Sequence, residues 1–194
     1  MAFRFGPSNP TVQIGTQAWT KYNLRVNRYR NGDTIPQVQD PTEWSNLTTG
    51  AWCWYNNDST NDQVYGKLYN WYAVNDPRGL APNGFSIPAS SDWDILTGYL
   101  GGTSVAGAAM KEAGLSHWLS PNTGATNSSG FTAFGGGIRS GIQFEELNST
   151  GYYWDSTAYD STNAYQEQVS KGSTSCNRYY NLKKCGCSVR LIKD

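Results

Sequence analysis

Few residues in this chain have the chemistry of a reaction centre, and their spacing puts most of them in structural roles. His117 is the single histidine, flanked by Ser116 and Trp118, with no serine or cysteine nucleophile cued beside it; a histidine so placed reads as structural. Glu145 and Glu146 are adjacent, and neighbours on a strand point to opposite faces, which makes a poor acid–base dyad. Asp92 and Asp94 fall in the first turn of an expected helix, where the dipole favours carboxylates anyway. Asn56, Asn57, Asp58 and Asp62 could offer oxygens to calcium, but their spacing is not that of an EF-hand and a solvated loop is the simpler reading. The four cysteines are Cys53, Cys176, Cys185 and Cys187. Cys-x-Cys with one further Cys upstream matches no common zinc spacing, so free thiols or one disulfide are expected, and no metal or cofactor. Gly135-Gly136-Gly137 lacks the Lys-Ser/Thr and the following helix of a phosphate loop; a close backbone approach or a bulge is the expected use.

A different chemistry is concentrated in 151–194. The segment opens with Tyr152, Tyr153 and Trp154 and closes with Val189, Leu191 and Ile192, an apolar pattern that reads as a terminal core strand. Between them Tyr159, Tyr165, Tyr179 and Tyr180 are interleaved with Ser, Thr, Asn and Gln. Tyr gives large contact area with few rotatable bonds, and Ser and Asn give adaptable hydrogen bonds, which is the composition of a binding surface. The competing reading is a Tyr-rich pair of edge strands with solvated loops.

The bulk properties narrow the partners. The chain has 194 residues, 38% hydrophobic and 14% aromatic, with eight Trp and thirteen Tyr, enough for one domain with a real core. Only 15% of residues are charged and the net charge is zero, which leaves no electrostatic footprint for nucleic acid. No run approaches the length that spans a bilayer, and MAFRFGPSNP has no secretory apolar region. Direct membrane insertion is not expected.

The elements that must position the segment follow from periodicity. Thr11 to Trp19 reads as a first strand and Asn31-Gly32-Asp33 as a turn. A loop or short helix surrounds Trp44. Tyr65, Leu68, Tyr69 and Tyr72 fall at i, i+3, i+4 and i+7, which predicts a helix over 62–74 capped by Asn61 or Asp62. Phe85 to Pro88 is a short strand. Ser90 or Ser91 caps a second helix over 91–100, Ser91 with Asp94 resembling a capping box, and Gly101-Gly102 ends it. Val105 to Glu112 adds a short third helix. The rest is irregular, then β.

Taken in order, VQIGTQAW, NGDTIP, GAWCWYNND, YGKLYNWYAV, RGLAPNGFSIPASSDW, GATNSSGFTAFGGGIR, GYYWDST and GCSVRLIKD resemble the Fibrobacter succinogenes major paralogous domain over nearly the whole chain. That family is similar to the formylglycine-generating-enzyme branch of the C-type lectin fold. The resemblance implies an α+β, C-type lectin-like domain over 11–194 behind an arm at 1–10, with two main helices on an irregular, mostly antiparallel β core. It implies a secreted or surface protein of Bacteroidetes or their phages, a receptor-binding protein or adhesin acting outside the cell. It also implies possible diversification by a retroelement that rewrites adenines near the 3′ end, in which case Cys176, Cys185 and Cys187 are products of variation. The chain departs from the family at Asp155, often Ser, and at Leu191, often Cys, which puts a family disulfide from Cys53 in doubt. An oxidase of the formylglycine-generating type, or a structural unit of a fibre, is the alternative.

On these grounds the expected face within 151–187 is Asp155, Tyr159, Tyr165, Gln166, Gln168, Ser170, Ser173, Asn177, Tyr179, Tyr180 and Asn181, binding a protein or glycan receptor. Trp154, Val169, Val189, Leu191 and Ile192 are assigned to the scaffold, and Gly151, Gly172 and Gly186 to turns.

Overall fold

The computed structural model describes residues 10–194; the expected arm at 1–10 lies outside them except for Pro10. The alternation around Val12 and Ile14 forms a hairpin rather than one strand: β1 (Thr11–Ile14) and β2 (Gln17–Thr20), with Val12 opposite Trp19. A short helix does surround Trp44. In α1 (Pro41–Ser45) the Asp40 carboxylate accepts the Glu43 N–H, and Pro41 sits where no N–H is needed.

The helix predicted over 62–74 does not form. After β3 (Trp52–Cys53) the chain makes α2 (Asp62–Tyr65), then β4 (Leu68–Tyr69) paired with β3, then α3 (Trp71–Val74). Gly66 at φ +69 stops α2, and the Asn70 side chain accepts the Ala73 N–H to start α3. Tyr65, Leu68 and Tyr69 are nevertheless buried, and Tyr72 is half-buried. Their burial comes from pairing rather than from a helix face: Tyr69 exchanges both backbone bonds with Cys187, at 2.9 and 3.1 Å.

Next come β5 (Phe85–Ser86), α4 (Ser90–Tyr99) and α5 (Thr103–Met110). The latter two match the helices expected at 91–100 and 105–112. The cap differs: Ala89 precedes the first turn and the Asp92 carboxylate accepts its N–H at 2.9 Å, so Ser91 and Asp94 form no capping box. The β half is β6 (Gly136–Ser140), β7 (Gln143–Leu147), β8 (Thr150–Ala158), β9 (Asn163–Ser170), β10 (Cys176–Leu182) and β11 (Ile192–Lys193).

Two main sheets result. One runs β1-β2-β11-β5, with Ile192 opposite Trp19, so the two ends of the described chain meet as expected, through the second arm of the hairpin. The other runs β10-β9-β8-β6-β7 and is antiparallel except for β6 beside β8. Mixed α and β structure on a mostly antiparallel framework is therefore as the sequence predicts. Alternation along β8 splits the core. Tyr152 and Trp154 pack with Trp52, Tyr69, Trp71 and Leu191 on one face, while Tyr153 packs with Trp19, Trp93, Phe131 and Val169 on the other, under α4 and α5. The scaffold assignment holds for Trp154, Val169, Val189 and Leu191, which are buried, and Ile192 is half-buried.

Gly151 and Gly186 are packing glycines, which corrects their assignment to turns; Gly172 does lie in a turn. A Cβ on Gly151 would stand 2.5 Å from the Phe134 carbonyl oxygen, because the chain leading into β6 presses on β8 there. The close approach expected of the Gly135–Gly137 stretch is made on its other side: a Cβ on Gly137 would stand 2.5 Å from the Glu145 carbonyl oxygen and one on Gly135 2.9 Å from Asn148 Cα.

Long loops leave carbonyls that no ladder satisfies, and buried cations take them. Arg190 is fully buried and donates to the carbonyls of Thr20, Phe131 and Thr132, each at 2.7 Å, and to Asn23 Oδ1 at 2.6 Å. Arg139 does the same for Val38, Gln39 and Asp40. Lys111 Nζ donates to the carbonyls of Thr123, Ser170 and Ser173 at 3.0, 2.9 and 2.8 Å. None of these contacts is an ion pair; the cations act as internal caps for irregular backbone. Among the described residues no helix is long and apolar enough to cross a membrane.

Candidate functional site

The Tyr-rich residues sit on β8, β9 and β10, at the edge of the five-stranded sheet. The turn between β8 and β9 is built by one aspartate. Asp160 Oδ1 accepts the N–H groups of Thr162 and Asn163, both at 2.7 Å. The Asn163 side-chain amide, which donates to both carboxylate oxygens, and then these backbone bonds hold the Asp160 carboxyl down at about 2. Lys183 Nζ closes the turn from β10's end by donating to the Asp160 and Ser161 carbonyls at 2.8 and 3.1 Å. The turn delivers Tyr159 beside the cross-strand pair Tyr165 and Tyr180. The Tyr159 and Tyr180 rings stack with centroids 4.2 Å apart and planes 2° from parallel. Tyr165 meets Tyr159 edge-on, at 5.3 Å and 76°. Tyr159 and Tyr180 remain 48% and 53% exposed, and Leu182 beside them is also exposed.

Under this cluster lies a charged brace. Arg178 Nε donates to Glu167 Oε1 at 2.7 Å, and its Nη2 donates to the Ser90 carbonyl and to Asp94 Oδ1, both at 2.8 Å. Asp155 lies 3.9 Å from the same guanidinium and accepts from the Thr157 N–H at 2.7 Å and from the Ser90 hydroxyl. Burial raises both the Asp155 and the Glu167 carboxyl above the usual carboxylate range, and Arg178 opposes that rise. The brace ties β10 to the start of α4, so the tyrosines stand on a fixed base. The guanidinium sits 6.0 Å from the Tyr165 ring.

The structure divides the expected face in two and removes two of its members. Asp155 is 0% exposed and Gln166 is 2% exposed. Asp155 belongs to the brace, and Gln166 lies in register between Trp154 and Tyr179. Composition cannot separate such polar residues from the exposed ones. Tyr159, Tyr165 and Tyr180 come together. Tyr179 does not join them, because it follows its neighbour on a strand and projects from the other face. It is 50% exposed there, on the same side as Gln168, Ser170, Asn177 and Asn181, with Ser173 in the loop between β9 and β10. Arg178, Leu182 and Lys111 were not expected at the site. Alternation of Arg178 with Tyr180 and Leu182 was the one signal in the sequence that could have grouped the first two.

The other candidate groups are structural. His117 Nδ1 lies 3.0 Å from both Glu112 carboxylate oxygens, and its ring meets Tyr65 and Phe134 edge-on. Glu146 accepts the Tyr152 hydroxyl at 2.9 Å. All four cysteines are free and buried, so Cys176, Cys185 and Cys187 are core residues. Burial pushes the Cys53 and Cys185 thiols up to about 11 and those of Cys176 and Cys187 well above their ordinary value. Among the described residues no three His, Cys, Asp or Glu side chains converge as a metal site.

Neither a curated protein nor a solved structure matches the chain. A family model does: the Fibrobacter succinogenes major domain matches residues 12–193. That match spans both sheets and the tyrosine-bearing edge, and the chain belongs to the Fibrobacter succinogenes major domain family.

Proposed function

We propose that this chain is a non-catalytic binding module, a receptor-binding protein or adhesin that engages a protein or glycan receptor at a cell surface. The observation that carries the reading is the packed cluster on the sheet edge in which Tyr159 and Tyr180 are exposed and rest against the half-buried Tyr165. Three rings already ordered against one another lose little freedom on binding and offer apolar faces with hydroxyl rims. A C-type lectin-like fold of the formylglycine-generating branch, diversified by a retroelement, belongs to the same proposal. It is supported by an edge strand whose exposed residues Asn177, Tyr179, Tyr180 and Leu182 can change without disturbing the core. An oxidase of the related type would need thiols that a metal or substrate can reach, and here all four are covered.

The test uses fluorescently labelled protein on intact cells of candidate hosts, with wild type beside the Tyr159→Ala/Tyr180→Ala double variant. Saturable binding by the wild type, lost in a double variant that still folds, is expected. Equal binding by both proteins would overturn the assignment to this cluster. The coding DNA offers an independent check on diversification: a neighbouring reverse-transcriptase gene and a near-copy of the 3′ end differing at adenines.

A further inference from the structure

The opposite face of the same two strands carries a second feature that the tyrosine cluster does not use. Gln168, Ser170, Ser173, Ser175, Asn177 and Tyr179 line a depression of about 180 Å³. The side chains of Gln168, Asn177, Ser170 and Tyr179 make no hydrogen bond to any described residue. Gln166, opposite Tyr179 in register, holds a buried Oε1 that has no partner. Gln166 shares the face that bears the depression but does not line it.

The floor is held in place from behind. Lys111 Nζ, fully buried, takes the carbonyls of Ser170 and Ser173, two of the lining residues, together with that of Thr123. Ser173 Oγ accepts the Ser175 N–H at 3.0 Å, and Ser175 Oγ donates to the Ser104 carbonyl at 3.4 Å. The loop between β9 and β10 is thus anchored, while the side chains of Gln168, Ser170, Asn177 and Tyr179 stay free of other described residues.

We infer that this depression is a separate binding site for a neutral, polyhydroxylated ligand of the size of one sugar ring. The inference deepens the binding reading above and relies on it, but names a different surface. The chemistry selects the class. No Lys or Arg side chain lines the depression to hold an anion, and no carboxylate lines it to hold a cation. Two amides, a serine hydroxyl and a phenol supply donors and acceptors in the mixture that vicinal hydroxyls match. The Tyr179 ring supplies one apolar wall for the C–H face of a sugar.

Two-dimensional amide NMR tests this on the whole chain. The probes are methyl glycosides of the common hexoses, N-acetylhexosamines, pentoses and 6-deoxyhexoses, with immobilised oligosaccharides ending in the same units as a second arm. At least one glycoside, or the matching oligosaccharide terminus, is expected to shift the amides of Gln168, Ser170, Ser173, Asn177 and Tyr179 saturably. A Kd of about 0.1–10 mM suits a single ring. Response to free glycosides means that one ring suffices; response to oligosaccharides alone assigns the site to a glycan terminus. Asn177→Ala and Gln168→Ala should each weaken binding at least about tenfold, a difference of about 1.4 kcal/mol, while Ile142→Ala, in the exposed turn between β6 and β7, leaves it unchanged. No shift at these amides with any probe in either arm overturns the inference. Shifts confined to Tyr159, Tyr165 and Tyr180 overturn it while supporting the tyrosine cluster, so the two readings fail separately.

Discussion

The Tyr159 ring lies parallel to the Tyr180 ring, 4.2 Å away, although Tyr159 leaves the end of β8 and Tyr180 lies on β10, with β9 between those strands in the sheet. The Asp160 turn brings them together over Tyr165. A stacked pair of this kind contributes about 0.5–1.5 kcal/mol beyond its buried area. Tyr180→Ala is expected to cost about 2 kcal/mol or more of receptor binding if it is a central anchor. Its effect on stability should stay near 1 kcal/mol, because half of the ring is already in water. Calorimetric melting beside a cell-binding titration separates the two quantities. A large drop in melting temperature would make the cluster a core element instead.

Gly151→Ala should destabilise by at least about 1–3 kcal/mol, because the added methyl would meet the Phe134 carbonyl oxygen at 2.5 Å where the chain leading into β6 presses on β8. Gly172→Ala, with open space around it, should be close to neutral. Urea denaturation of the two variants decides the matter. Equal costs would mean that the Phe134 carbonyl does not press on Gly151.

Arg190→Lys should not behave as a conservative change. One ammonium cannot reach the acceptors that the guanidinium serves from three nitrogens, namely Asn23, Thr20, Phe131 and Thr132. At least about 3 kcal/mol of stability should be lost, since buried acceptors left unpaired cost about 1–3 kcal/mol each. The loosening should show in hydrogen exchange at Leu191, whose N–H bonds Thr20 Oγ1.

The acid side of the stability profile should carry the signature of Asp76. Hydrogen bonding to Arg78 lowers its pKa from 3.8 to about 2 in the folded chain. A carboxyl with a lowered folded pKa binds fewer protons folded than unfolded between those two values. Its contribution is therefore present above about pH 4 and lost as the pH falls towards 2. Asp76→Asn should lower the melting temperature at neutral pH and flatten its decline between pH 4 and pH 2. An unchanged acid slope would show that the Asp76–Arg78 pair adds nothing to the fold.

The sequence by itself determined the family, the aromatic anchor at Tyr152–Trp154, helices α4 and α5, and the meeting of the chain ends. The aromatic anchor and the helices rest on residue type and local period, which a linear reading contains; the family rests on the order of its motifs, and the meeting of the ends on what that resemblance implies. It also marked the segment that holds the exposed tyrosines, because composition survives folding. What only the tertiary structure decided is which polar residues face water. Asp155 and Gln166 look like their exposed neighbours in composition, but register with β9 and β10 buries them. Tyr179 and Tyr180 are consecutive and chemically identical, yet the pleat sends them to different surfaces. The helix read over 62–74 failed for the same kind of reason: pairing of Leu68 and Tyr69 with β3 and with Cys187 outweighed a helical period that Gly66 had already interrupted. Local period sets what a segment can form, and long-range hydrogen-bond partners set which of those forms it takes.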